Sequence, residues 1–250
     1  MPEYRWNQTE LAEEFDRAAE FIHPHYLPVQ DAILDLLAKA NATHGLIVDA
    51  GGGSGRLAQR ILELFPGARV LVVDQSEAFL AIAVRRLAPF GKRGGVMLAR
   101  LQEDWTARLP EAPVAIVSMS AIHHLDPAEK RDCYARCFRA LAEGGVLLNG
   151  DEVRDPDPAV YKQHMLDWSS WKNGQIADGK ISDAMAANWR KWEERNIERF
   201  DDPRKSGDDC HETVAAQLGY FRDAGFTTAD APWTRAMWTV MRGRKGRPVA

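Results

Sequence analysis

The sequence predicts an α/β fold in which a doubly wound, mostly parallel sheet carries helices on both faces. Three observations lead there. Five short, continuous apolar runs lie between residues 46 and 149, several ending in an acid or in glycines. Helical stretches alternate with them, the pattern of a parallel sheet buried on both sides. Two further runs near the end are joined by a turn so short, Pro232-Trp233-Thr234, that they must be antiparallel.

The elements follow in order. Leu11, Phe15, Ala18, Ala19 and Ile22 recur at helical spacing; Pro24 and Pro28 interrupt the pattern, and a second amphipathic helix resumes over Val29–Ala38. His23-Pro24-His25-Tyr26 forms a polar and aromatic elbow between them. Leu46-Ile47-Val48 is the first strand, ending in Asp49 and glycines, with a helix over Arg56–Leu64. Val70–Val73 is the second, ending in Asp74, with a helix over Glu77–Leu87. Val96–Ala99 is the third, and Val114–Val117 the fourth, with a helix over Pro127–Ala142; Val146–Asn149 is the fifth. Residues 156–209 break the rhythm: they are helical and charged, with Trp168/Trp171 and Trp189/Trp192 each at i,i+3. A helix over Glu212–Ala224, stopped by Gly225, precedes strands near Phe226–Ala231 and Arg235–Arg242. The basic tail Arg242–Arg247 reads as a solvated, frayed end.

Composition narrows the function classes. The 250 residues, 45% hydrophobic and 27% charged, suit one globular domain. A net charge of −4 tilts against a nucleic-acid partner, which needs concentrated basic surface. Cys133 and Cys137, four apart on a helix, read with Cys210 as buried thiols rather than a disulfide framework, and no zinc-finger spacing accompanies them, so no metal is expected. Met1–Leu11 is polar, and no run approaches the ~20 apolar residues of a membrane span. A cytoplasmic protein with no membrane partner is the expectation.

The chemistry concentrates at one turn. Val48-Asp49-Ala50-Gly51-Gly52-Gly53-Ser54-Gly55-Arg56 follows a strand and opens a helix, and Asp74 ends the next strand, where a carboxylate can accept hydrogen bonds from ribose hydroxyls. A dinucleotide turn wants its third spaced glycine at position 56, where Arg56 stands, and no Lys-Ser/Thr pair follows as in a phosphate loop.

With these motifs, from about Ile47 to Val153 and over the terminal hairpin, the chain resembles the class I S-adenosylmethionine-dependent methyltransferases. Ser118–Leu125 and Arg139–Gly145 look like their small-molecule branch. The resemblance implies a Rossmann-like, seven-stranded sheet with an antiparallel last strand. It implies one methyltransferase domain: an N-terminal helical lid (1–44), a cofactor-binding core (45–155), a helical insertion covering the acceptor pocket (156–209), and a last helix with terminal hairpin (210–250). It implies S-adenosyl-L-methionine as cofactor and S-adenosyl-L-homocysteine as product. Asp49, Gly51, Gly52, Gly53 and Gly55 would hold the methionine end, Asp74 with Gln75 the ribose, and Ser118 with Met119 the floor beneath the sulfonium. At the third strand end, where the family often has an acid for adenine, Arg100 stands in the simplest register, leaving adenine to Leu101 and Gln102; sliding the register brings Glu103 or Asp104 there.

Acceptor residues are expected at strand ends and covering segments. His123 and His124 lie just past the fourth strand; one could face the acceptor as a base, or they could be helix-entry histidines bonded to backbone. Asp151 and Glu152 end the fifth strand, where the paired acids could bind a metal or an ammonium, with Glu152 a candidate to meet the acceptor, or could lie on a loop face in water. His25 and Tyr26 sit on the elbow that could fold over the cofactor. His164, Trp168 and Trp171 would roof an acceptor pocket or simply pack the insertion, whereas Trp189/Trp192 read as a helix at one edge, open to a dimer contact. The expected function is methyl transfer to O, N or S of a small, flat or apolar acceptor, by a monomer or homodimer. The competing readings are an enzyme of the same fold that remakes the cofactor, for which Arg100 is the one strand-end arginine, and a cofactor-binding regulatory protein without turnover.

Overall fold

In a computed structural model that describes residues 5–246, seven strands form one sheet in the order β3-β2-β1-β4-β5-β7-β6. The strands are β1 (Gly45–Ala50), β2 (Ala68–Asp74), β3 (Gly94–Leu98), β4 (Ala115–Met119), β5 (Val146–Glu152), β6 (Thr228–Arg235) and β7 (Trp238–Arg244). The first five are parallel, and β7 runs antiparallel between β5 and β6. Helices α1 (Thr9–Ile22), α2 (Tyr26–Lys39), α3 (Arg56–Leu64), α4 (Glu77–Leu87), α5 (Pro127–Ala140), α6 (Pro158–Ala177), α7 (Asp183–Glu193) and α8 (Val214–Ala224) complete the architecture.

The continuous apolar runs have a direct cause. Side chains alternate between faces along a strand, and both faces of this sheet are covered. Ile47 packs into one core, with Ile33, Leu37 and Ile61, while Leu46 and Val48 pack into the other, with Tyr134, Cys137 and Phe221. Each such aliphatic burial contributes about 1.5–3 kcal/mol, so neither face tolerates a polar residue at these positions. Helix starts are set by side-chain caps: Ser76 accepts from the Phe79 amide, and Asp126 with Glu129 forms a reciprocal capping box at α5.

Helix α5 ends at Ala140 and α8 begins at Val214, each two residues inside the expected span, and three further differences from the sequence reading have a local reason. Pro28 lies inside the first turn of α2, which begins at Tyr26; an amide there has no intrahelical acceptor to lose. The terminal hairpin turns at Ala236-Met237, with Ala236 at φ 49°, and β6 runs through Pro232 across a register shift between Asp230 and Trp233. Strand β6 is the sheet's edge, where a missing amide costs no ladder bond. Arg242–Arg244 belong to β7 rather than to a frayed tail, Arg242 pairing with Asp230 at 2.5 Å; Arg247 lies outside the described residues. Cys133, Cys137 and Cys210 are buried free thiols, as expected. Among the described residues no helix is long and apolar enough to cross a membrane.

The N-terminal helices reach over the carboxyl end of the sheet and are tied down by charge. Asp16 of α1 accepts from Arg86 (2.9 and 3.0 Å) and from Arg56 (3.1 Å), the first residue of α3. Burial pushes the Asp16 carboxyl up, but the hydrogen bonds and charges of Arg86 and Arg56 outweigh it and hold its pKa below the ordinary value. The insertion helices pack beneath, where Trp168 of α6 donates its indole N–H to the Ile22 carbonyl at 2.8 Å. Asp16→Ala should destabilise the protein by about 2–4 kcal/mol, the range for charge-assisted bonds broken on one side of a largely buried pair. Urea unfolding measures it; an unchanged midpoint would mean that apolar contacts alone seat α1.

Candidate functional site

Strand order reverses at β1 and β4, where open α/β sheets place their ligands. A cavity of about 240 Å³, open to solvent on one side, lies there beyond the carboxyl ends of the strands.

One end is built on the glycine turn. Gly51 donates to the Val73 carbonyl at 2.7 Å and has φ +71°; a Cβ there would lie 2.4 Å from the Ala121 Cβ. A Cβ on Gly52 would lie 2.5 Å from the Asp49 carboxyl carbon. Backbone can therefore approach a ligand closely only because both residues are glycine. Asp49, 1% exposed, has two buried carboxylate oxygens without a hydrogen-bond partner and faces this cavity. Burial, then the charge of Asp74, pushes its pKa up to about 7. Asp74 accepts from the Gly53 amide (2.9 Å) and the Ser76 amide (2.8 Å), and burial raises its pKa against those bonds.

The other end is aromatic with a polar floor. Trp168, Trp189 and Trp192 form one wall, facing Phe15, His23 and Tyr26 from the N-terminal helices. At the floor, Glu152 is fully buried; its Oε1 accepts from the Ser120 hydroxyl (3.1 Å) and lies 3.2 Å from His23 Nδ1. His123 donates its backbone amide to Asp151 Oδ2 (2.9 Å), and its Nδ1 lies 2.6 Å from Asp151 Oδ1 and 3.1 Å from Glu152 Oε2. Burial alone would depress His123, but Asp151 and Glu152 overcome it and raise its pKa well above the ordinary value. Glu152 is correspondingly held well below its own, burial notwithstanding, chiefly by His123.

The loop that returns from the insertion completes this end. Gly207 and Cys210 donate backbone amides to the carbonyls of His124 and His123, both at 2.8 Å. They present Asp209, whose Oδ1 lies 3.4 Å from His124 Nδ1 and 3.9 Å from His123 Nε2, while its Oδ2 accepts from Asn196 at 2.9 Å. His124, His123, His211 and Arg195 hold Asp209 far below the usual carboxylate range despite burial. His211, bonded through Nδ1 to the Tyr161 hydroxyl at 2.7 Å, is pushed down to about 4 by burial and by His123. Two triplets bring one ligating atom each to within 4.8 Å of one another: His123, His124 and Asp209, and His123, Asp151 and Glu152. Lys172 is buried with its Nζ over the Trp192, Trp189 and Trp168 rings (3.0, 4.2 and 4.5 Å to the centroids), and burial pushes its pKa well down.

The cavity wall includes Asp49, Gly51, Gly52, Gly53, Asp74, Gln75, Leu101, Gln102, Met119, Tyr26, His123, His124, Glu152 and Trp168 from the sequence reading. Of residues 100–104, Leu101 and Gln102 face it, while Arg100, Glu103 and Asp104 are exposed, as in the simplest register. Gly55 is buried at the N-cap of α3, behind the wall.

Other placements are corrections. His25 turns away and lies edge-on to Trp238 and Trp233 of the terminal hairpin, because the first turn of α2 rotates it opposite to Tyr26. Ser118 is fully buried in β4 and off the wall, since alternation hands that face to Met119. His164 and Trp171 are half-buried and off the wall, because α6 directs Trp168 inward. Asp151 and Glu152 are buried in a histidine network rather than in water. Trp189 and Trp192 line the cavity and are not an exposed edge.

Sequence reasoning missed Asp209, His23, Phe15, Trp6 and Phe79, all on the wall. The doublet Asp208-Asp209 before Cys210-His211, at the chain's return to the sheet, was the available signal for Asp209. Nothing in local spacing marks the others.

Comparison with known proteins agrees with this geometry. A family model described as a methyltransferase domain matches residues 48–147. The trans-aconitate 2-methyltransferase of Acidovorax is 35% identical over 121 residues, 48% of this chain and 42% of that protein. Ribosomal RNA small subunit methyltransferase H of Mycolicibacterium smegmatis is 39% identical over 99 residues (37% and 26%), and acetylserotonin O-methyltransferase of Rattus norvegicus is 34% identical over 103 (41% and 23%). The chain thus spans less than half the length of these curated relatives. Among solved structures, magnesium protoporphyrin IX methyltransferase from Synechocystis, with bound S-adenosylhomocysteine, aligns over 96% of both chains with a TM-score of 0.63 at 15% identity, a likeness of fold.

The floor makes a titration prediction. A histidine whose folded pKa is raised adds stability that is fully present below its unfolded value near 6.5 and is lost as pH rises through the folded value. The His123 ring should therefore stay protonated above pH 6.5, and Asp151→Asn should lower its pKa. Ring NMR resonances followed from pH 5 to 9 check this; titration at 6.5 in the unmodified protein would refute the arrangement.

Proposed function

We propose that this chain is a class I S-adenosylmethionine-dependent methyltransferase, whose cavity binds S-adenosylmethionine along the glycine turn and directs the methyl group to O, N or S of a small, flat acceptor; the methyltransferase-domain match and the methyltransferase relatives support this. The observation that carries this is the pairing of two unlike ends in one cavity: an orphaned carboxylate and glycine cradle facing an aromatic box with a polar floor.

The residues fit the cofactor. Asp49, buried and without a partner, suits the methionine ammonium; Gly51 and Gly52 leave room for the chain of the ligand; Asp74 suits the ribose hydroxyls; Leu101 and Gln102 border the adenine end. When bound, S-adenosylmethionine supplies a methyl group already activated by its sulfonium. The protein's work is then to align the acceptor in line and keep water out. Trp168, Trp189 and Trp192 provide flat apolar area for the acceptor. His123, His124 and Asp209 face the same end, where they orient its nucleophilic atom and stabilise the loss of its proton.

Two features favour a small acceptor over a ribosomal RNA. The aromatic end is walled by the N-terminal helices and the insertion, and the net charge is −4. The reading in which the cofactor itself is remade loses its arginine, since Arg100 is exposed and off the wall.

Calorimetric titration with S-adenosylmethionine, followed by transfer of labelled methyl to a panel of hydroxylated and amino aromatic acids and alcohols, tests the proposal. Asp74→Ala should weaken cofactor binding by about 1.5–3 kcal/mol, as for hydrogen bonds to a charged group. Trp192→Ala should raise the acceptor KM. Unchanged cofactor affinity in Asp74→Ala would overturn the cofactor assignment; binding without label transfer to any acceptor would overturn the enzyme reading.

Asp49 adds a pH dependence. Only its ionised form pairs with an ammonium, and its pKa without cofactor is pushed up to about 7. Affinity should rise from pH 6 to pH 8 and flatten in Asp49→Asn; a pH-independent affinity would remove Asp49 from the ammonium site.

A further inference from the structure

We propose that His123, His124 and Asp209 form a three-ligand site for a first-row divalent metal ion, open on its remaining side to the acceptor end of the cavity. The distances suit one ion. His124 Nδ1 lies 3.4 Å and His123 Nε2 3.9 Å from Asp209 Oδ1, with all three ligating atoms within 4.8 Å of one another. Ligands about 2.0–2.1 Å from a tetrahedral ion stand roughly 3.4 Å apart, so small side-chain adjustments close the set.

The surroundings are those of a supported site. A ligating imidazole is normally oriented through its other nitrogen by a carboxylate, and His123 Nδ1 meets Asp151 Oδ1 at 2.6 Å. The second oxygen of Asp209 is held by Asn196 at 2.9 Å. The amides of Gly207 and Cys210 fix the backbone of both histidines against the Asp209 loop. An independent observation points the same way: His211 is buried, its Nδ1 is taken by Tyr161, and its Nε2 has no hydrogen-bond partner, while its ring centre lies 5.4 Å from that of His123.

Charge supports a dication. Asp151, Glu152 and Asp209 are three buried carboxylates around the histidine pair, and the Arg195 guanidinium at 3.9 Å from Asp209 offsets one. Two imidazoles and one carboxylate favour zinc, cobalt, iron or manganese over magnesium or calcium, which prefer oxygen. All three ligands line the acceptor end, so an acceptor oxygen or nitrogen can complete the coordination and be placed for attack. That role rests on the methyl-transfer reading; the binding of the ion does not.

The test is a titration of chelator-treated protein, without cofactor, with Zn²⁺ and with Co²⁺. The expected result is one ion per chain, a visible Co²⁺ absorption of four- or five-coordinate type, and a raised Tm. Asp209→Asn and His124→Ala should each weaken binding at least ten-fold, while Glu152→Gln, which belongs to the neighbouring triplet and touches only His123 of the three ligands, should weaken it less than either. Should a variant fail to fold, the His123 and His124 ring resonances of the unmodified protein decide, since both must shift with one equivalent of Zn²⁺. Absence of stoichiometric binding, or binding lost in Glu152→Gln and kept in Asp209→Asn, overturns the proposal. Cofactor affinity, measured separately, reports on the methyl-transfer reading, so the two can fail independently.

Discussion

Right-handed crossovers wind the chain outward from β1 in one direction and from β4 in the other, so the loops that leave these neighbouring strands diverge. That divergence opens the cavity, and the other features of the site answer to it. The turn after β1 must pass under a ligand, which is why Gly51 lies against Ala121 of the loop after β4 with no room for a Cβ. The end of β2 is one strand away, so Asp74 can reach the Gly53 amide and stay beside the cavity. On the β4 side, the diverging loop carries His123 and His124 towards the end of β5, where Asp151 and Glu152 wait in register with β7.

A gap between loops is not yet a pocket. Its roof comes from outside the α/β repeat, from α1, α2 and the insertion between β5 and α8. These segments are seated by two unlike means. The N-terminal helices are held by the half-buried Asp16–Arg86–Arg56 cluster, which ties them to the glycine-turn helix itself. The insertion is held by apolar packing of Trp168, Trp189 and Trp192, by the Trp168 indole bond to Ile22, by the Ser182 hydroxyl donating to Glu14 of α1, and by the Gly207 and Cys210 amides. Ligand-facing wall and structural core are therefore the same aromatic residues, and a change that reshapes the acceptor end also loosens the roof.

How much of this could be read in advance follows from where the determinants lie. The strand–turn–helix units were legible because burial on two faces imposes continuous apolar runs, and because Ser76, Asp126 and the glycines mark element ends chemically. Arg56–Leu64 and Glu77–Leu87 match the structure to the residue for that reason. The cofactor end was legible because one turn and one strand end build it. The aromatic end was not, since its parts meet only in three dimensions: His23 and Phe15 from the N-terminus, Trp192 from the insertion and Asp209 from the return loop. Local spacing gave His25 and Tyr26, or Trp168 and Trp171, equal standing. Packing separated them, placing one of each pair on the cavity and turning the other aside.

The concentration of ionisable groups at the aromatic end of the cavity is difficult to account for by stability alone. A buried charge costs several kcal/mol unless paired, and well-packed apolar residues of similar volume are often as good or better. Here Asp151, Glu152, Asp209, His123, His211 and Lys172 are buried together, although only some of their atoms find partners. Glu152 and His123 compensate each other, but His211 is left neutral with an unpartnered nitrogen, and Lys172 is driven towards neutrality among three indoles. The cofactor end repeats the pattern in miniature, with Asp49 held beside Asp74 and without a hydrogen bond to either oxygen. Asp49 and Glu152, both with carboxylate oxygens that lack a hydrogen-bond partner, line the cavity. Part of the uncompensated electrostatic cost therefore sits on a surface that a ligand can reach, where a cation or a hydrogen-bonding group would supply what the fold alone leaves unsatisfied.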